Sequence, residues 1–459
     1  MHPSLGMFSD TYFMARHRFL QAVKTRGYAL ETARHPLSDQ FPAEVATDTV
    51  RIGPDSARHV LFISSGLHGT ELTAGSGIQL GLLEEIEAWL PADTAAVFIH
   101  GVNPFGSAAM TRTDENNIDP NRNNRLSFDP LPQNPDYDAL HDALCPAVWS
   151  GPERDKAEAR IAAYIDKNGF DKFGRNVLSG QYSHADGLFY GGTARSWTIQ
   201  NLSDTVTRHG AGAERLAIAD LHTGLGGYGE LEVIRKEQAQ LDSDGNPVRH
   251  FACDVLDDVS CPQPPIKVIL EFGTYPVDYI VDAHRADTWL KFHGDLNTPL
   301  GRQIKAHLRD ALFRDDPAWL EAVYTQGIDR LPCGSSGTHR RLINVMRTAL
   351  TRRGHNAGMH IMKKLTLTFD NGPEPEVTPL VLDILARRGL LTTFFVVGQK
   401  LLDPERMELA TRARKEGHRI GNHTFTHSTP LGQMEDAAAA VTELERTDEL
   451  VARTGETEK

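Results

Sequence analysis

Cysteine is scarce: the 459-residue chain has four, Cys145, Cys253, Cys261 and Cys333, with no C-x-x-C pair among them. A chain of this size builds its core without disulfides, so scattered thiols exclude a disulfide scaffold and suit a reducing compartment. Cys253 and Cys261 are near enough in sequence to bridge, but free thiols are the expected state. Long apolar runs are also missing. No stretch reaches the roughly 18 residues of a membrane span, and the N-terminus, MHPSLGMFSDTYFMARHRFLQAV, lacks the uninterrupted apolar segment of a signal peptide. Basic charge is in deficit, with 48 Lys and Arg against 61 Asp and Glu and a net charge of −13. General binding to nucleic acid or anionic lipid needs a basic face and is excluded. The expectation is a soluble, cytoplasmic protein with no nucleic-acid or membrane partner.

What is present is ordinary globular composition, 40% hydrophobic and 24% charged, at a length that calls for two or three domains. Residues 8–26 have the pattern of an amphipathic helix. Val60 to Ser65 (VLFISS) is a short apolar run ending in Gly66, as a buried strand does, and residues 71–90 return to helical spacing. Ala95 to Val102 predicts a second strand, followed by a long polar loop through Arg125, a Pro-rich turn at 131–135 and a helix over 153–168. LAIADL (216–221) and IKVILEF (266–272) predict two further strands, one ending just before His222 and one carrying Glu271. Strands alternating with helices imply an α/β fold with a mixed, mostly parallel sheet covered on both faces. In such sheets sites collect at the carboxyl ends of strands, where the three richest loops of this sequence fall.

From His339 to Lys364 the chain has seven Lys or Arg and no acidic residue. So short a stretch in an acidic chain is a solvated basic helix and linker rather than a nucleic-acid patch. RRGHNAGMH marks a boundary, and a fresh strand–loop–helix pattern begins at Leu365. The expected organisation is a first domain over 1–345, a basic linker over 346–362 and a second domain over 363–459, with no internal repeat.

His68-Gly-Thr-Glu71 sets an imidazole and a carboxylate three residues apart on a turn after a strand. A catalytic Zn²⁺ takes three N or O donors from protein and leaves one position open, so a local pair plus one distant ligand is the pattern sought, and His222 is the natural third. The segment RTDENNIDPNRN (112–123) is basic and amide-rich; Arg112 and Arg122 offer the bidentate fork that binding a substrate carboxylate demands. Glu271, in the apolar strand ILEFGTYP, is either structurally paired or a proton acceptor and donor beside a metal.

Taken in order, H-x-x-E, the R…D-P-N-R-N loop, the strand-ending L-H and the strand-borne L-E-F resemble the zinc carboxypeptidase (carboxypeptidase A-like) clan. FISSGLHGTE, GQYSHADGLFYGG, DLHTGLGGYGE and LEFGTYP look like an uncharacterised bacterial branch of it, over residues 8–345. The resemblance implies a carboxypeptidase-like fold. It also implies zinc on His68, Glu71 and His222, and Glu271 as the base that activates water. By the same resemblance Arg112 stabilises the oxyanion, Asn121 and Arg122 hold the substrate's terminal carboxylate, and Asp119 orients His68. The substrate implied is a small peptide or acylamino acid. The loop from Arg112 to Asp119 is shorter than in digestive carboxypeptidases, and only Tyr228 and Tyr190 are candidates for their mobile tyrosine. The NP…R…D-x-N-R spacing also resembles the aspartoacylase and succinylglutamate desuccinylase branch, which implies small N-acyl amino acids instead.

Near the C-terminus, LTLTFDNGP (365–373) is a strand running into a turn, and GHRIGNHTFTH presents His423 and His427 four apart, as on a helical turn facing one metal. A helix (377–388) and the strand TTFFVV lie between them. These motifs resemble the polysaccharide deacetylase (NodB-homology) family, whose signature is T-F-D-D-G-P and H-x-x-x-H. The resemblance implies a partial β/α barrel, with Asp370 as general base and Asn371, His423 and His427 on a divalent metal. It also implies N-acetylated oligosaccharide as substrate. An amide at 371 ligates without negative charge, so metal affinity is expected to be weakened. The segment is about half the length of such a barrel, and no activity is expected of it as it stands. A chain of this kind that retains metal-site residues without catalysis would be a cell-wall-binding module.

Overall fold

The computed structural model describes residues 6–170, 172–174, 179–236, 240–241, 247–248, 251–330, 368–388, 390–429, 434 and 436–455. The chain divides into two compact units, Met1–Gly354 and His355–Lys459. The basic linker expected over 346–362, and Cys333, lie outside the described residues, whereas Cys145, Cys253 and Cys261 are free thiols.

The first unit is built on a seven-stranded sheet. Its strands are β1 (Leu30–Arg34), β2 (Ala46–Ile52), β3 (His59–Ser65), β4 (Thr94–His100), β5 (Arg215–Gly224), β6 (Leu231–Lys236) and β9 (Ile266–Gly273). They lie in the order β1-β2-β4-β3-β5-β9-β6, while β7 (Gln240–Leu241) and β8 (Pro247–Val248) form a separate small pair. β4, β3, β5 and β9 run parallel, and antiparallel β1–β2 and β6 close the two edges. The central strands read as continuous apolar runs because both of their faces are covered. One face carries Leu61, Ile63, Phe98, Ala219 and Leu270 against helices Tyr12–Thr25 and Leu72–Trp89. The other carries Val60, Phe62, Val97, Ile218 and Ile269 against helix Trp197–Gly210 and the short turn Ala252–Asp258. The fold class is thus mixed α/β, with a mostly parallel sheet and helices on both sides.

Three local readings are corrected. β5 does not stop at Leu221: it runs on to Gly224, so His222 sits within the strand, paired with Glu271 of β9. The helix expected from residue 71 starts one step later, at Leu72, because Gly69–Glu71 is a 3-10 turn. β1, β2 and β6 are strands that apolar runs do not reveal. β2 buries Thr47, Asp48 and Thr49 between Ala46 and Val50, which breaks the apolar run, and Arg16 binds the Asp48 carboxylate through Nε at 2.6 Å.

The second unit has a three-stranded parallel sheet, β10 (Thr368–Gly372), β11 (Thr393–Val396) and β12 (Arg419–Asn422), in that order. Helices Thr378–Arg388, Pro404–Lys415 and Ala437–Arg453 accompany it, and Leu382, Leu385, Val396, Leu401, Ala413 and Leu450 share its core. His423 and His427 are not on a helical turn. They lie on the loop after β12, where Asn422 Oδ1 accepts from Thr424 N and both Thr424 and His427 have positive φ.

Gly69 is the tightest point of the turn that carries His68 and Glu71. A Cβ there would lie 2.0 Å from the Gly106 carbonyl carbon and 2.2 Å from Ser107 N, and neither backbone group can yield as a side chain would. Gly69→Ala is therefore expected to lower stability by about 1–3 kcal/mol and to displace His68 from Glu71. Thermal unfolding measured alongside zinc content checks both; a variant with wild-type values in each would contradict this packing.

Candidate metal centre

β3, β5 and β9 are neighbours, and their register sets Ser65 beside Leu221 and His222 beside Glu271. The turn after β3 then brings His68 and Glu71 over the same carboxyl edge. Gly66 adopts φ +71 as the chain leaves the strand, a conformation glycine accepts without steric cost. His68, Glu71 and His222 are all buried, and one donor atom from each falls within 4.8 Å of the others.

The contacts are specific. His68 Nδ1 lies 2.8 Å from Glu71 Oε1, and His222 Nδ1 lies 3.0 Å from Glu71 Oε2. Both imidazoles present the same nitrogen to the centre and turn the other outward. His222 Nε2 meets Asp220 Oδ2 at 2.8 Å, and the second oxygen of Asp220 accepts from Ser64 Oγ at 2.7 Å. His68 Nε2 faces Asp119 Oδ1 at 3.6 Å and Asn121 Nδ2 at 3.3 Å. A carboxylate behind the far nitrogen keeps a proton there and leaves Nδ1 as the donor, the usual support of a metal-bound histidine. Two imidazole nitrogens and one carboxylate suit a divalent cation with an open coordination position.

The charges reinforce one another. Burial alone would raise the Glu71 carboxyl, but His68 and His222 outweigh it and hold it far below the usual carboxylate range. Burial opposes the charged form of Asp119 as well, and Arg112 and His68 bring it well below its ordinary value. Burial lowers His222, yet Asp220 and Glu71 raise it well above that of a free imidazole. Glu271 differs. Burial pushes its carboxyl up, with His222 pulling against and Glu71 adding to the rise. Its Oε1 accepts from Leu225 N at 3.1 Å.

The loop of residues 112–123 is ordered by Asp119. Arg112 Nε donates to Asp119 Oδ2 at 2.8 Å, Asn121 N donates to Oδ1 at 2.9 Å, and the Arg112 guanidinium reaches within 3.9 Å of Glu71. Asn121 is turned inward: its Oδ1 accepts from Ala252 N while Nδ2 faces His68, so both ends of the amide contact protein. Arg122 packs its stem on Gly180, and its backbone oxygen accepts from Tyr182 Oη at 2.7 Å. Of the tyrosine candidates, Tyr190 is buried, with its carbonyl accepting from Asp119 N; Tyr228 is exposed, with its hydroxyl on Asp316.

Sequence reasoning missed two contributors. Asp220 is two residues before His222 on one strand and therefore on the same face, a period-two signal present in DLH. The segment of residues 180–192 enters the sequence reading only through its motif and the Tyr190 candidate. Phe189 places its ring 5.1 Å from the Arg112 guanidinium carbon, so the motif supports the Arg112 side chain as well as Asp119.

A family model described as "Protein of unknown function (DUF2817)" matches residues 8–257 and 242–326, more than half of the chain. The chain belongs to the DUF2817 family. Beyond that part, a polysaccharide deacetylase model matches residues 358–459. Among curated relatives, a chitooligosaccharide deacetylase of Sinorhizobium fredii is 49% identical over 61 residues, 13% of this chain and 27% of that protein. The peptidoglycan-N-acetylglucosamine deacetylase PgdA of Listeria monocytogenes is 43% identical over 65 residues, 14% of each. The solved peptidoglycan deacetylase PdaC from Bacillus subtilis is 31% identical, over 20% of this chain and 43% of that one, at a TM-score of 0.18. The chain thus spans less than half the length of each of these relatives.

In the deacetylase-like unit, Asp370 and Asn371 lie in the last three residues of β10, beside a cavity also lined by Pro373, Val377, Phe394 and Lys400. His423 and His427 stack with ring centroids 4.5 Å apart. Asn371 has φ +61, and its carbonyl accepts from Lys400 Nζ at 2.8 Å.

If Asp220 holds the outer nitrogen of His222, Asp220→Asn keeps the shape and loses the charge. Affinity for Zn²⁺ is expected to fall about 10–100-fold. Competition against a chelator of known affinity measures this, and undiminished affinity would remove Asp220 from the support of the centre.

Proposed function

We propose that the DUF2817 part is a zinc-dependent hydrolase of amide bonds, carboxypeptidase-like, acting on a substrate with a free carboxylate. The observation that carries this reading is the buried His68–Glu71–His222 set, backed by Asp119 and Asp220 and flanked in register by Glu271. Zinc suits two imidazoles and a carboxylate, and a bound divalent cation would supply Lewis-acid polarisation of a carbonyl and of water. The protein's own groups supply the rest. Glu271 accepts a proton from the attacking water and returns it to the leaving nitrogen; its raised proton affinity favours that exchange. Arg112, fixed by Asp119 and resting on Phe189, donates to the oxygen that gains charge as the carbonyl is attacked. Arg122 is the group assigned to the substrate carboxylate. Asn121 is assigned instead to bracing His68, because its amide is already engaged.

A second reading is favoured by the family match over residues 358–459: removal of acetyl groups from an N-acetylated oligosaccharide, with Asp370 as base and Asn371, His423 and His427 on a divalent metal. The two readings are compatible, since they use different units.

One panel separates them. Peptides with a free C-terminus, N-acyl amino acids and N-acetylated chito-oligosaccharides are offered to the full chain, to Glu271→Gln and to His423→Ala. Glu271→Gln is expected to keep its zinc and its melting temperature while turnover of the first two classes drops about 10²–10⁴-fold. If zinc and stability fall together with activity, Glu271 is a structural partner of a buried charge and the mechanism fails. The half-length of the second unit predicts no acetate release from chito-oligosaccharide by the full chain; release that is seen, is lost in His423→Ala and is untouched in Glu271→Gln would establish the second reading, and release that persists in His423→Ala would rule it out.

A further inference from the structure

A second group of metal-type donors lies in the first unit, away from the centre described above. His141, from the short helix His141–Leu144, and His184 and Asp186, from the segment of residues 180–192, each offer a donor atom within 4.8 Å of the others. The imidazoles stack at 3.8 Å between centroids, 15° from parallel. Around them, His184 Nε2 lies 3.1 Å from Asp138 Oδ1, and His141 Nε2 lies 3.5 Å from Asp186 Oδ1. Two imidazoles and two carboxylates therefore converge from two separate stretches of chain.

His141 is the unusual member. Its Nδ1 is enclosed and has no hydrogen-bond partner among the described residues, and Nε2 stands beyond normal hydrogen-bond length from Asp186. Leaving a buried polar atom unmet costs about 1–3 kcal/mol, which a cation held through Nδ1 would relieve. Its side chain is 12% exposed, against 29% for His184 and 52% for Asp186, so the cluster has a closed back and an open front.

The backbone around His184 is fixed. Gln181 Oε1 accepts from His184 N at 2.8 Å, and Gln181 Nε2 donates to His184 O at 2.6 Å. Asn117 Nδ2 donates to the carbonyls of Ala185 and Gly187, at 3.0 and 2.9 Å. The same segment ends in Phe189 under Arg112 and Tyr190 on Asp119.

We propose that His141, His184 and Asp186, with Asp138 beside them, form a second divalent-cation site, which pins the segment of residues 180–192 against helix His141–Leu144. Nitrogen and oxygen donors in this ratio select zinc or another late first-row divalent ion rather than calcium or magnesium. A cation there does no chemistry on substrate. It would position the strap that carries Phe189 and the Tyr190 carbonyl.

The site is separable from the proposed hydrolase. In the full chain carrying His68→Ala and His423→Ala, each of the other two candidate centres lacks an imidazole. Equilibrium dialysis against Zn²⁺ is expected to leave about one equivalent bound, and adding His184→Ala, or separately Asp186→Asn, should lower that affinity at least tenfold. The same two changes in the otherwise unaltered protein should each reduce bound zinc by one equivalent with the circular dichroism spectrum unchanged, which covers a double variant that does not fold. Zinc content that is identical with and without His184 in both backgrounds overturns the proposal. A His68→Ala protein that keeps every equivalent overturns the first ligand set and leaves this one standing.

Discussion

Parallel pairing of β3, β5 and β9 is the constraint on which the rest of the first unit depends. Parallel strands need crossover connections, and in such sheets sites gather outside the carboxyl ends of the strands. Every residue assigned to the candidate centre is on one of those strand ends or on a loop packed over them. The register is unforgiving. Moving β9 by one residue against β5 would carry Glu271 to the opposite face of the sheet, into the layer of Leu61, Ile63 and Leu270, and away from His222.

Backbone conformations point to the same loops. Among the described residues, the non-glycine positions with positive φ are Met110, Asn117, Phe189, Asn371, Thr424 and His427. Met110, Asn117 and Phe189 lie around Arg112; Asn371 follows Asp370, Thr424 follows His423, and His427 is one of the stacked histidines. Such conformations cost about 1–3 kcal/mol each and persist only where surrounding contacts enforce them. For Phe189 the enforcing contacts are visible: its ring lies on Arg112, and the next residue's carbonyl takes the Asp119 amide.

Much of this was legible in the sequence. VLFISSG followed by HGTE announces a buried strand and a turn because both faces of β3 are covered, and LHT and LEF announce β5 and β9 for the same reason. What remained hidden has physical causes. β1 and β6 are edge strands, and β2 buries an Arg16–Asp48 pair, so none carries the continuous apolar run that marks an interior strand. The carboxypeptidase resemblance implies that Asn121 is a substrate ligand, but its amide oxygen is turned inward to accept from Ala252 N, 131 residues away. The spacing of His423 and His427 fits a helical turn as well as a loop, and the Asn422–Thr424 hydrogen bond and the positive φ of Thr424 and His427 go with the loop. Segment 180–192 supports Arg112 and Asp119 through the ring face of Phe189 and the carbonyl of Tyr190, neither of which the sequence motif reveals.

Asp119 has a consequence of another kind. One carboxylate faces His68 with one oxygen and binds Arg112 with the other, so whatever acts on Arg112 acts through it on the imidazole. A ligand that draws the Arg112 guanidinium toward itself leaves Asp119 more negative and more strongly attracted to His68. Binding free energies around a closed cycle must balance: to whatever degree such a ligand tightens the hold on a cation, the cation tightens the hold on the ligand by the same factor.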